Sequence, residues 1–204
     1  MIMARPLLAE VVRRRFQQSI DVPTRFFEAN ADLISRACLA MARRFHRGGR
    51  LLVFGNGGCA TDAQHVSVEF VHPVVVGKRA LPAIALTNDI GTFTGILQQH
   101  GTDQPFAQQL RVLGWRQDMA MGISSNGDDA SVLAGLRAGG EMGLLTLGLA
   151  GESGGKMAVA GLDYCFVVPS DDPRVIQETH ETLYHVLWEL VHVFFEHRGL
   201  LEDN

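Results

Sequence analysis

The sequence predicts an α/β domain: a five-stranded parallel sheet flanked by helices, with a helical extension at the N-terminus. Two observations predict it. From residue 51 onward five short apolar runs, Leu51–Phe54, Ala83–Leu86, Met119–Ile123, Leu144–Leu147 and Tyr164–Val168, alternate with helical stretches. Strands separated by helical segments build βαβ units and therefore a parallel sheet with helices on both faces. The chain has 204 residues, of which 47% are hydrophobic and 20% charged, enough to fill one sizeable core. A single domain over residues 1–204 is expected, with N-terminal helices up to residue 48 and an α/β core over 49–204 that ends in a long helix.

Residues 6–20 and 24–47 read as two helices. Apolar residues recur at spacings of three and four (Phe27, Leu33, Ile34, Ala37, Cys38, Met41), and Gly48-Gly49 stops the second. Their apolar stripe is too broad for the surface of a lone monomer, which points to a helical subunit interface. Glycine-rich or polar loops follow three of the strands, at Gly55–Gly58, Ser124–Asp129 and Gly148–Gly155. Open parallel sheets bind ligands at such carboxyl-end loops. The last long element, Arg174 to His197, is a helix rich in apolar residues (Val175, Ile176, Leu183, Leu187, Val191).

Composition excludes several classes of function. A net charge of −4 gives no electrostatic case for nucleic acid or an anionic membrane. No run of 18 or more apolar residues exists to span a bilayer. Three scattered cysteines, Cys38, Cys59 and Cys165, form no C-x-x-C pair, which favours a reducing compartment over a disulfide framework. Met1 to Arg15 lacks the clean apolar stretch and cleavage site of a signal peptide. A cytoplasmic protein is expected, with a small molecule as its partner.

The turn Gly55-Asn56-Gly57-Gly58 follows an apolar run and precedes a helix. Glycines there allow close backbone approach, and the helix start offers unsatisfied N–H groups to a ligand. A tight turn without a ligand uses the same residues. His65 and Glu69 follow, four apart on that helix. They rise about 6 Å along the axis and point within roughly 40° of each other. One metal ion can take the His nitrogen and the Glu oxygen, or Glu69 can serve as a base; a surface hydrogen-bonded pair has the same spacing. Gln177 and His185 on the last helix would complete a nitrogen and oxygen site suited to zinc or another divalent ion. Eight residues separate them by about 12 Å and roughly 80° around the axis. Both reach one ion only if the helix starts or bends near Gln177, or if neighbouring subunits each supply one. The loop Ser124-Ser125-Asn126-Gly127 offers hydroxyls and N–H groups that suit a phosphate. Asp128 and Asp129 follow, and they would repel a dianion or take its donors by capping the next helix.

Taken together these segments resemble the sugar isomerase (SIS) domain. The resemblance rests on Gly55-Asn-Gly-Gly58, Asp62-x-x-His65-x-x-x-Glu69, Pro82-Ala-Ile-Ala-Leu86, Ile123-Ser-Ser-Asn-Gly127, Gly151-Glu-Ser-Gly-Gly-Lys-Met157 and Ile176-Gln-Glu-Thr-His180. It covers nearly the whole chain and is strongest to the phosphoheptose isomerases. It implies a flavodoxin-like sheet, a homotetramer with sites near subunit interfaces, bound zinc, and conversion of sedoheptulose 7-phosphate to D-glycero-D-manno-heptose 7-phosphate through an enediol. By resemblance, His65, Glu69, Gln177 and His185 are the metal ligands, and Glu69 and His185 also carry the acid/base chemistry. Substrate contacts fall on Asn56, Gly57 and Gly58, the phosphate loop on Ser124, Ser125, Asn126 and Asp129, and Gln177 also faces the substrate. The chain departs from the family's Ser-Thr-Ser-Gly-Asn-Ser loop at Asn126 and Asp129. A family Asn-Asp pair falls on Gln98 and Gln99, and Cys59 stands where a serine is usual. Two alternatives remain: an isomerase acting on a different sugar, or a non-catalytic SIS protein that binds sugar phosphates or serves as a scaffold, as one does for the replication initiator DnaA.

Overall fold

The computed structural model describes residues 5–73, 75–197, 199 and 201. Residues 1–4 and 202–204, part of the span expected to form the domain, lie outside the described residues. In chain order the elements are α1 (Arg5–His46), β1 (Leu51–Gly55), α2 (Gly58–Val71), β2 (Ala83–Ala85), α3 (Ile90–His100), α4 (Pro105–Leu113), β3 (Met119–Ile123), α5 (Ala130–Glu141), β4 (Leu145–Gly151), β5 (Tyr164–Val168) and α6 (Pro173–Glu196).

The five strands pair in parallel in the order β2-β1-β3-β4-β5, the flavodoxin-like arrangement. Alternate residues of β1, β3, β4 and β5 feed two cores, as the two-residue period of a strand requires. Leu51 and Val53 of β1, Met121 of β3 and Leu147 of β4 face the layer of α1, α2 and α6. Leu52 and Phe54 face the other layer, where Phe54 stacks on Phe106 of α4 with centroids 5.0 Å apart.

Three expectations need correction. The N-terminal region is one helix of 42 residues rather than two, with Pro23 inside it. A proline within a helix removes one backbone hydrogen bond and costs about 3 kcal/mol. Val22 and Phe26, on either side of Pro23, are nonetheless buried with Ile34, Ala37, Cys38 and Met41, and each large apolar side chain buried returns about 1.5–3 kcal/mol. Packing against α6 thus carries the helix through the proline. The fourth strand extends to Gly151, so Gly148 to Gly151, expected in a loop, are ladder residues; Gly148 lies beneath Met157 and Leu162, leaving no room for a side chain. The second strand stops at Ala85.

At its C-terminal edge the sheet carries two loops locked together. Gly127 has φ +77°, and a Cβ there would lie 2.0 Å from the Gly154 carbonyl oxygen. The Gly127 carbonyl accepts from the Met157 N–H at 3.0 Å. A Gly127→Ala substitution is therefore strained in both backbone and space. It should cost about 1–3 kcal/mol, read as a shift of the urea unfolding midpoint; a midpoint unchanged from wild type would contradict this account of the loop.

Candidate active site

The sheet changes direction between β1 and β3. The chain leaves β1 for β2 on one side and β3 for β4 on the other, and the crevice above such a switch point is where open α/β sheets bind ligands. The two loops there are the Gly55–Gly58 turn and Ser124–Asp129. A hollow of about 280 Å³ opens between Asn56 and the Ser124–Asp129 loop. A second of about 190 Å³ adjoins it under Gln177. Asn56, Cys59 and Ser125 line both. Gly57 caps α2 at φ 57°, a backbone angle that glycine adopts without penalty. Gly58 begins the helix beside the Gln177 amide.

The Ser124–Asp129 loop is held by its own hydrogen bonds and by bonds from the segments around it. The Ser124 hydroxyl accepts from the Gly127 N–H at 3.1 Å, and the Asn126 Oδ1 accepts from the Asp128 N–H at 3.0 Å. Asp128 accepts from the Lys156 N–H at 3.1 Å. Asp129 caps α5, accepting from the N–H groups of Ser131 and Val132 at 3.0 and 3.1 Å, while its other oxygen accepts from Asn56 Nδ2 at 2.7 Å. The capping reading of the sequence holds for Asp129. The N–H groups that a phosphate would use at the start of α5 already face a carboxylate. Burial alone would raise the Asp129 pKa, but the bonds from Asn56, Val132 and Ser131 outweigh it and hold the carboxyl below its usual range. Cys59 is a protonated thiol, its pKa pushed up to about 11 by burial and by the nearby Asp62 and Asp129 charges.

On the neighbouring layer α2 and α6 lie side by side. His65, Glu69 and His185 come together, with one donor atom from each within 4.8 Å of the others. His65 Nε2 lies 3.3 Å from Glu69 Oε1, and the Glu69 side chain is only 12% exposed. The His65 and His185 rings meet edge to face, 5.3 Å apart. Two imidazoles and a carboxylate converging on one point are the ligand types zinc takes at a catalytic site, where a fourth position stays open for water or substrate.

Gln177 approaches the same helix pair earlier along it. Its Nε2 donates to Asp62 Oδ1 at 2.9 Å. The geometric obstacle seen in the sequence is real: α6 begins at Pro173, so Gln177 and His185 sit two turns apart on one helix. The Asp62 bond occupies the Gln177 Nε2, and its Oε1 has no hydrogen bond among the described residues. Asp62 is buried and its Oδ2 has no hydrogen-bond partner among the described residues. Burial chiefly raises its pKa, as does Glu181, against lowering by Gln177 and His65.

Three residues near the site had no assigned role in the sequence reading. Asp62 shares one face of α2 with His65 and Glu69, a spacing of three and seven that was there to be read. Tyr184 shares a hydrogen bond with His65, Oη lying 2.8 Å from Nδ1. Burial and the Glu181, Asp62 and Glu69 charges raise its pKa, so it stays a phenol. His180 is buried beneath the second hollow with Nε2 3.1 Å from the Ala150 carbonyl, and burial lowers its pKa to about 4. Gln98 and Gln99 are exposed on α3 and line neither hollow.

This fold and this convergence of side chains define a class: SIS-domain proteins. A family profile described as SIS domain matches residues 16–151. Phosphoheptose isomerase of Thermodesulfovibrio yellowstonii is 37% identical over 93% of this chain and 94% of its own length. That of a Roseiflexus species is 43% identical over 86% of this chain and 88% of its own. Among solved structures, the phosphoheptose isomerase of Francisella tularensis superposes with a TM-score of 0.86 at 30% identity, covering 91% of this chain and 98% of its own. That of Neisseria gonorrhoeae gives 0.83 at 33%, covering 90% and 98%. The chain belongs to the phosphoheptose isomerase family of SIS-domain proteins.

The Asp129 bonds carry a signed pH dependence. Their stabilisation is fully present above the unfolded carboxyl value near ~4 and is lost as pH falls through the lower folded value. Asp129→Ala should cost about 0.5–2 kcal/mol at pH 7, and the gap from wild type should close as urea unfolding is repeated at successively lower pH. A gap that is absent at pH 7, or that persists unchanged into acid, would contradict the capping role.

Proposed function

We propose that the chain interconverts sedoheptulose 7-phosphate and D-glycero-D-manno-heptose 7-phosphate. The observation that carries this reading is the meeting of His65, Glu69 and His185 between α2 and α6, in a chain whose relatives bear the isomerase name along nearly their full length. In an aldose–ketose isomerisation a base takes a proton from C1 of the ketose while an acid protonates the C2 carbonyl oxygen. The resulting enediol then gains a proton at C2 and loses one from the C1 hydroxyl. Glu69 suits the first role, since its carboxylate is mostly shielded from water. His185, facing His65 across the same point, suits the second. Asn56 and the Gly57–Gly58 backbone hold sugar hydroxyls, Gln177 Oε1 adds an acceptor, and Ser125 and Asn126 face the phosphate end.

The donor set of His65, Glu69 and His185 fits zinc; Gln177, two turns earlier on α6, would add an oxygen ligand only if a neighbouring subunit supplied it. When bound, the ion would polarise the substrate oxygens. A homotetramer belongs to the same reading. Leu7, Leu8, Val11, Val12, Phe16 and Ile20 are all exposed along the first half of α1, and burying such a stripe between copies would remove it from water. A reducing, cytoplasmic setting suits three free cysteines; among the described residues no helix is long and apolar enough to cross a membrane.

A second reading follows from the loop at α5. With Asp129 occupying the helix N-terminus, the far end of the substrate can be a hydroxyl or an amine that donates to the carboxylates, in place of a phosphate. A panel of phosphorylated, unphosphorylated and amino sugars separates the two by which is turned over.

Glu69→Gln and His185→Gln should each lower turnover of sedoheptulose 7-phosphate by about 10²–10⁴-fold in a coupled assay with folded protein. Wild-type rates in either variant would remove its assigned role.

A further inference from the structure

Tyr184 is absent from every motif above, yet it is the residue most tightly coupled to His65. It is 1% exposed. Its ring lies edge-on to His65 at 5.2 Å and to His185 at 5.0 Å, with interplanar angles of 74° and 82°. The three rings therefore brace one another. The Tyr184 hydroxyl meets His65 Nδ1 at 2.8 Å, and the Glu181 carboxylate lies 3.6 Å from the same nitrogen. The other nitrogen, Nε2, points at Glu69.

We propose that Tyr184 is the positioning residue for His65: its hydroxyl holds Nδ1 and thereby presents Nε2 to a metal ion shared with Glu69 and His185. This rests on the metal-site reading given above. A neutral imidazole carries one N–H, and only the bare nitrogen can bind a cation. With Nδ1–H donated to Tyr184 Oη, Nε2 has its lone pair free on the Glu69 side. With the proton on Nε2 instead, that nitrogen donates to Glu69 and the ligand position is closed. A hydroxyl serves both arrangements, since it accepts from Nδ1–H in the first and donates to bare Nδ1 in the second. A backbone carbonyl or a carboxylate could serve only the first. Tyr184 thus keeps the ring in place while the proton changes nitrogen as the ion enters. Partners of this kind on metal-binding histidines typically alter metal affinity 10- to 100-fold.

The test uses zinc alone, with no sugar. Zinc affinity of the metal-free full chain is measured by competition with a chromophoric chelator, for wild type and Tyr184→Phe. Phenylalanine keeps the buried ring and removes only the hydroxyl. The expected result is a loss of roughly 10- to 100-fold in affinity, with the Phe variant still folded by far-UV circular dichroism. Equal affinity would overturn the proposal. A second measurement needs no variant. In ¹⁵N-labelled wild type, the His65 imidazole signals should report Nδ1–H when zinc is bound, with that proton protected from exchange; zinc-bound His65 protonated on Nε2 would overturn the proposal even if the Phe variant failed to fold. Wild-type protein that bound zinc normally but did not isomerise sugars would sink the isomerase reading and leave this one standing. Equal zinc binding by an active wild type and Tyr184→Phe would do the reverse.

Discussion

The site depends on one packing contact, that between α2 and α6. These helices lie in the same layer and run in the same direction, since Asp62 pairs with Gln177 and, further along both, His65 pairs with Tyr184. Their inner faces are apolar: Ala63, Val66 and Phe70 on one, Leu183, Tyr184 and Leu187 on the other, all in a single core with the sheet. That burial fixes the distance between the helices. Their rims then meet as a ladder of polar side chains, and the polar groups have each other as partners where water is thinned out. The side chains proposed as acid, base and metal ligands are by-products of where two apolar faces must sit. The contact joins residues more than a hundred positions apart, so no local segment could supply the site alone.

The crevice at the switch point has a different character. Its loops are organised by internal hydrogen bonds, and the carboxylate of Asp129 lies where α5 would otherwise meet an anion. A helix start attracts negative charge through its N–H groups and dipole; here the chain provides that charge itself. The same substitution pattern that rigidifies the loop sets what kind of molecule can enter it. Ser124, turned inward to hold Gly127, contributes to the loop's shape, whereas Ser125 lines both hollows.

Much of the fold was legible because its signals are local. Apolar runs mark all five strands: Met119–Ile123 and Tyr164–Val168 match the structure end to end, and Leu51–Phe54 falls one residue short. Sequence reasoning failed where tertiary packing overrides a local rule. Pro23 breaks helices by propensity, but the helix runs on because its flanks are buried against α6. The glycines at 148 and 151 suggest a loop, yet they are strand residues kept small by Met157, Leu162 and Ile176 packed over them. At the site, His65 and Glu69 were readable as a pair because four residues make one helical turn. Their union with His185 rested on resemblance, since a separation of 116 or more residues leaves no periodic trace. Tyr184 was invisible for the same reason, looking like one more apolar-face residue on α6. Gln177 was placed correctly on its helix, and the difficulty of its reaching His185's ion was geometric from the start.

His65, Glu69 and His185 lie close enough together to surround one ion between α2 and α6. Anomalous diffraction at the zinc absorption edge, from crystals of the full chain grown with zinc, tests most directly whether they do. The account predicts one peak per site, roughly 2.0–2.2 Å from a nitrogen of each histidine and an oxygen of Glu69. Crystals whose anomalous density lies elsewhere, or that show none between these helices with zinc in excess, would contradict it.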